Sequence, residues 1–248
     1  MRKCFYLSSM VILLVFAFVV SAKAAFTGSY AYFDWSNFKV QGYSLTQGQP
    51  APTITWLDQS EEIYLENQNI VYWDYADDWD TGLKYSINTP QANVMAMVSN
   101  TFAESKTDIH RSGNGNSSSG KYGDFRVKGE GIIIFSIPYH IEVKIESDPL
   151  LENAEGVADV WLEVYNSDQS RYSYSDSMLD KSLSKDGTGF WSDDGVISVV
   201  LYFKDGEKGH FEAWIGTDAS QTLAPIPSSF LLIGSGIGMV FIRRRKKV

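Results

Sequence analysis

The amino-acid sequence predicts an all-β fold, an antiparallel β-sandwich of jelly-roll type. Three observations carry this. Apolar residues recur at every second position in several segments, the spacing that sets one strand face on a core and the other in water. Sustained helical periodicity is missing from the middle of the chain. And 14 Tyr, 14 Phe and 7 Trp supply the aromatic side chains that pack well on a pleated surface.

The elements follow in order. Tyr30 to Val40, Thr53 to Leu57, Ile63 to Glu66 and Val71 to Tyr75 read as strands. Ala92 to Phe102 fits strand or helix, and the repeat of Val94, Ala96 and Val98 at two favours strand. Arg111 to Gly120 (RSGNGNSSSG) predicts a mobile low-complexity loop dividing two halves. Each half alone would bury only a small core, so both are expected in one sandwich. Ile132 to Glu146 is a strand whose second half turns Ile141, Val143 and Ile145 one way and Glu142, Lys144 and Glu146 towards water. Pro138 inside it marks a bulge or an edge. Gly156 to Val164, Gly195 to Phe203 and Phe211 to Gly216 complete the set, with Val196 to Phe203 apolar enough to be covered on both faces. Turns are expected at Asn153–Gly156, Asp193–Gly195 and Asp205–Gly209.

Both ends stand apart from this domain. Arg2 and Lys3 precede the apolar run Met10 to Val20, and Ala22-Lys23-Ala24 has the small-x-small pattern of a cleavage site. Residues 1–24 therefore read as a signal peptide handled by the Sec translocon and signal peptidase, the alternative being an uncleaved N-terminal anchor. Cys4 lies in the basic leader segment, which argues against a lipoprotein and leaves residues 25–224 without a cysteine. With three of the 21 basic residues in the leader, five in the tail and all 30 acidic residues between, the central domain carries −17 rather than the whole-chain −9. Such a surface repels nucleic acid, whose phosphates need clustered Lys and Arg.

Residues 225–248 hold three parts in sequence. Pro225-Ile226-Pro227 is a stiff hinge, Ser228 to Ile242 an apolar helix, and Arg243, Arg244, Arg245, Lys246 and Lys247 a basic membrane stop. The helix would be roughly 22 Å long at about 1.5 Å per residue, short for a bilayer core of about 30 Å, so snorkelling arginines or local thinning would be needed to span. The basic cluster keeps the tail end in the cytoplasm and the domain outside the inner membrane.

These three parts together resemble the PEP-CTERM sorting signal of Gram-negative bacteria, with Pro-Ile-Pro standing where Pro-Glu-Pro is most frequent. The resemblance covers about 24 residues, and the missing glutamate is a departure from the pattern. It implies that an exosortase recognises the tail and removes it near the motif, releasing the protein from a transient membrane anchor to the cell surface or extracellular matrix. A permanent C-terminal anchor is the alternative.

Candidate chemistry is sparse. His110, His140 and His210 stand far apart without metal-ligand spacing, and no nucleophile elbow or nucleotide-binding fingerprint occurs. The one local constellation is Trp73 to Gly82 (WDYADDWDTG). Trp73, Tyr75 and Trp79 are candidates for stacking on sugar rings, whose faces are apolar. Asp74, Asp77, Asp78 and Asp80 are candidate calcium ligands, although their spacing is not that of an EF-hand loop. The simpler reading is a strand end followed by an acidic turn with buried tryptophans. Asp193-Asp194 reads in the same way, as a hairpin turn or a second cation site. The sequence thus points to a non-enzymatic surface or exopolysaccharide-matrix protein with a structural or adhesive role. The alternatives are a carbohydrate-binding module, with calcium the one cofactor in view, and, by analogy of fold alone, a secreted polysaccharide hydrolase.

Overall fold

A computed structural model describes residues 26–146, 151–167 and 176–223, with side chains for all of these except 151, 152, 176–184 and 223. The leader, the Pro-x-Pro motif, the apolar tail and the basic cluster lie outside the described residues. Thirteen strands occur among the described residues: β1 (Phe26–Asp34), β2 (Lys39–Tyr43), β3 (Thr53–Asn67), β4 (Ile70–Ala76), β5 (Leu83–Asn88), β6 (Ala92–Val98), β7 (Phe102–Ile109), β8 (Gly113–Lys128), β9 (Gly131–Glu146), β10 (Leu151–Asn166), β11 (Asp176–Asp186), β12 (Gly189–Phe203) and β13 (Lys208–Leu223). They form two antiparallel sheets packed as a sandwich. Sheet A runs β12-β9-β1-β7-β6-β5, with β2 also on β9; sheet B runs β11-β10-β13-β8-β3-β4. Each sheet contains strands from both halves of the chain, and the main apolar core lies between the sheets.

The core follows from alternation. On sheet A, Phe33, Ile133, Phe135, Ile137, Ile141 and Val143 are buried; on sheet B, Ile63, Leu65, Phe125, Val160, Leu162, Phe211 and Ile215 are. One end of the interior is aromatic: Phe211 has the rings of Trp35, Phe38, Trp56, Trp79 and Phe135 within 5.3–6.2 Å. The other end is lined by small hydroxyls, with Thr107 and Ser117 hydrogen-bonded to Thr217 Oγ1 at 2.9 and 2.8 Å.

Several expectations are corrected. Residues 113–120 are not a loop but the start of β8, an interior strand between β13 and β3. Their small side chains are a packing requirement: a Cβ on Gly120 would stand 2.5 Å from the Trp214 ring, and one on Gly123, further along the strand, 2.8 Å from Trp56. Thr53–Leu57 and Ile63–Glu66 belong to one strand, β3, whose register slips between Trp56 and Asp58. That bulge lets even-numbered Ile54 and Trp56, then odd-numbered Glu61, Ile63 and Leu65, all face the core. The single strand expected at Tyr30–Val40 is broken by a 3₁₀ turn at Trp35–Asn37.

Pro138 marks neither a bulge nor an edge. β9 is interior, and its register with β12 runs through Val196↔Pro138 without a slip. On its other side, pairing with β2 ends at Ser136 and pairing with β1 begins at Tyr139, so no ladder donor is needed at Pro138. Residues 153–156 and 193–195 lie within β10 and β12, not in turns. Asp193 accepts from Tyr139 Oη at 2.8 Å and Asp194 contacts His140 Nδ1 at 2.6 Å, so this acidic pair serves the β12–β9 ladder. Nor is β12 covered on both faces: Ile197, Val199, Leu201 and Phe203 are buried, while Val196 and Val200 are exposed.

Candidate functional site

The predicted constellation at residues 73–80 is split by the fold. β4 is an edge strand of sheet B, and its alternation turns Tyr72 and Ala76 towards the core. Trp73 and Tyr75 therefore face outwards, 58% and 43% exposed, with their rings 6.2 Å apart and within 17° of parallel. Trp79 lies beyond the strand end and turns the other way. Its ring packs 4.8 Å from Trp56, and its Nε1 donates to both Ser60 O and Tyr122 O, at 3.0 and 2.8 Å. Trp73 and Tyr75 form one platform; Trp79 is not part of it.

Strand register extends that platform across the outer face of sheet B. Tyr75 stands opposite Glu62, Glu62 opposite Gly120, Gly120 opposite Trp214 and Trp214 opposite Trp161. The neighbouring row runs Trp73, Tyr64, Ser118, Gly216, Asp159. The Trp214 ring leans over Gly120, towards β3 and β4, and meets Tyr122 edge-on at 5.0 Å. From β4 to β10 the aromatic band crosses five strands, about 19 Å at about 4.8 Å per strand.

Carboxylates line the band on both sides. Glu66 and Asp218 lie in the row beyond Trp73, and Glu212 and Glu163 in the row beyond Tyr75. Tyr64 and Tyr122 donate to Glu66 and Glu62, each at 2.7 Å. Burial and then the hydrogen bond to Glu62 push the Tyr122 hydroxyl up, keeping it a neutral donor. Burial, followed by the nearby charges of Glu155 and Glu66, pushes the Asp218 carboxyl up. At the far margin His210 sits between Asp124 (2.6 Å) and Glu212 (2.9 Å). Burial there works against its charge, but the two carboxylates outweigh it and raise its pKa.

The four aspartates do not converge. Asp74 accepts from Tyr72 Oη and Tyr75 N at 3.1 and 3.0 Å. Asp78 closes its own turn by accepting from Asp80 N, Thr81 N and Thr81 Oγ1 at 2.6–2.8 Å, and these bonds hold its carboxyl below the usual range. Asp80 borders a separate cavity of about 170 Å³ at the aromatic end, with Trp35, Phe38, Gln59, Trp79, Asn100 and Lys121. Asp77 remains on the exposed turn after β4. Among the described residues no group of three or more His, Cys, Asp or Glu is placed to hold a metal ion.

Beneath Trp79 lies a pair that sequence reasoning missed. Glu61 and Lys121 are direct partners across β3 and β8 on the buried face, both essentially inaccessible to solvent. Lys121 Nζ is 3.3 Å from Glu61 Oε2, donates to Trp79 O at 2.9 Å, and lies 5.6 and 5.3 Å from the Trp35 and Trp79 ring centres. Glu61 Oε1 accepts from Gly82 N at 2.6 Å. Burial raises the carboxyl and lowers the ammonium, each opposed by the other's charge. The pair ties the turn carrying Asp77 to Asp80 onto the core. Glu61 shares its parity with Ile63 and Leu65, a signal that was legible in the sequence. Trp214 and Trp161 were legible too, since each falls in phase with acidic neighbours (Glu212 and Asp218; Asp159 and Glu163) rather than with the core residues.

No protein-family model matches the chain, and no curated protein matches it in sequence.

Proposed function

We propose that this chain is an exported surface or exopolysaccharide-matrix protein, processed by an exosortase at Pro225-Ile226-Pro227, whose sandwich acts by adhering to matrix glycan. The observation that carries adhesion is the aromatic band on the outer face of sheet B, exposed at Trp73 and Tyr75 and half-buried at Trp214 and Trp161, with carboxylates on both sides. Aromatic faces offer sugar C–H surfaces a dry contact, while carboxylates accept from hydroxyl and amino groups. An exposed apolar platform with a polar rim is what an interaction site requires, and core packing alone gives no reason for Trp73 to stand in water. Export and sorting rest on the leader, the Pro-x-Pro hinge, the short apolar helix and the Arg243–Lys247 cluster. The jelly-roll reading is supported by a chain that passes from sheet to sheet at β2–β3, β4–β5, β7–β8, β8–β9, β9–β10, β11–β12 and β12–β13.

Two measurements test this. The intact mass of the native protein should begin near Ala25 and end near Pro227, in material released from the inner membrane. Recovery only as an inner-membrane species still carrying Arg243 to Val248 would remove the exosortase step. Separately, the protein should sediment with the cell's own exopolysaccharide, and Trp73→Ala should lower the bound fraction at unchanged thermal midpoint. Equal sedimentation of the two proteins would remove the band from the function.

A further inference from the structure

The adhesion reading leaves the kind of glycan open, and the charge of the band selects one. We infer that the outer face of sheet B binds a glycan chain bearing free amino groups, laid across the strands from β4 towards β10. This rests on the proposal that the band is a glycan surface and adds the chemical class of its ligand.

Charge is the first ground. The rows through Val71, Trp73, Tyr75 and Ser60 contain Glu62, Glu66, Glu212 and Asp218, and no lysine or arginine occupies a register position in them among the described residues; His210, at the margin, is shared between Glu212 and Asp124. A polyanionic chain laid here would meet like charge along its whole length. A second copy of this protein is disfavoured for the same reason, since the central domain carries −17. A neutral chain would cover these carboxylates and offer only hydroxyl donors to groups that lose their water. Protonated amines offer charge-assisted hydrogen bonds to the same oxygens.

Geometry is the second ground. The aromatic rings that floor the band attract an ammonium as well as a sugar face, because the ring quadrupole is negative above its plane. Across the strands the row from Tyr75 passes Glu62 and Gly120 before Trp214 and Trp161, at about 4.8 Å per step, so a chain laid along it meets rings at both ends and a carboxylate between them. Gly120 and Gly216 keep the centre of the band low, the first beneath the Trp214 ring and the second beside the Asp159 carboxylate.

The test is retention of the full chain, purified in a non-ionic detergent at pH 6, on four matrices: chitosan, its N-acetylated form chitin, cellulose, and polylysine beads as a purely ionic control. The expected result is binding to chitosan at least about tenfold tighter than to chitin or cellulose, weakening with salt. Trp73→Ala and Glu66→Gln should each weaken chitosan binding by about three- to tenfold while leaving polylysine binding nearly unchanged. Both positions face outwards on sheet B, and an unchanged thermal midpoint reports that each variant is folded. Equal binding to chitosan, chitin and cellulose would overturn the amino-glycan inference and leave the adhesion reading standing. Binding to none of the three glycans would overturn both. Chitosan binding that both variants leave untouched would show attraction by net charge alone, and a Trp73→Ala loss equal on chitosan and polylysine would show that the band reads ammonium groups without a sugar; either result would overturn the inference.

Discussion

The two faces of sheet B use the same aromatic residues for opposite purposes. On the inner face Trp56, Phe125 and Phe211 close a cluster with Trp35, Phe38 and Trp79, and the buried cation Lys121 is matched by Glu61 directly across the ladder. On the outer face Trp73, Tyr75 and Trp214 lie among carboxylates, and no lysine or arginine occupies a register position in their rows among the described residues. Composition cannot tell these two populations apart; strand parity can. Inside, an aromatic ring removes its area from water on folding and a charge survives only when paired. Outside, Trp73 and Tyr75 leave much of their area in water.

If that division is right, truncations on the two faces should separate stability from binding. The largest loss is expected for Phe211→Ala, about 3–5 kcal/mol by chemical denaturation, because its ring is the hub of five others. A loss below about 1 kcal/mol would mean that the aromatic end is loosely packed. Lys121→Met should cost about as much, 3–5 kcal/mol, since it strands the Glu61 carboxylate in the core. Adding Glu61→Met to it should recover part of that loss. Additive losses would show that the pair is not coupled.

A smaller effect comes from the margin of the outer face. The His210 pKa is raised in the folded state by Glu212 and Asp124 against the pull of burial. The folded state therefore holds the imidazolium more tightly than the unfolded chain does. Its contribution is complete below the unfolded value of about 6.5 and fades as pH rises through the folded value. Stability should thus decline above about pH 6.5, and His210→Asn should flatten that slope. A slope identical in the variant would assign the decline to other groups. The smallest stability effect belongs to Trp73→Ala, within about 0.5 kcal/mol of the parent, because the side chain is more than half exposed and its ring neighbour Tyr75 is itself exposed. A change above about 1 kcal/mol would place Trp73 in the fold rather than in a binding surface.

How far the sequence could be read depended on whether a signal was local. Alternation is local, so Ile141, Val143 and Ile145 were legible as a core face, and so was the all-β class. The bulge at Trp56/Asp58 was not, because a one-residue slip in phase looks like a strand end until the partner strand is known. The glycine- and serine-rich start of β8 looked like a loop for the same reason: what fills the space above Gly120 and Gly123 is Trp214 and Trp56, 94 and 67 residues away. In the candidate site, Trp73 and Tyr75 were found by adjacency. Trp79 was grouped with them wrongly, since the chain reverses its facing after Ala76.

By itself the sequence determined the all-β class and the acidic charge of residues 25–224, since these depend on composition and short-range pattern. Only the tertiary structure decided which aromatics are shared by the core and which by the surface, that Glu61 meets Lys121, and that residues from β4, β3, β8, β13 and β10 line up in one band. The physical reason is that register is fixed by hydrogen bonds between strands distant in the chain, and a slip of one residue would exchange every inward side chain for an outward one.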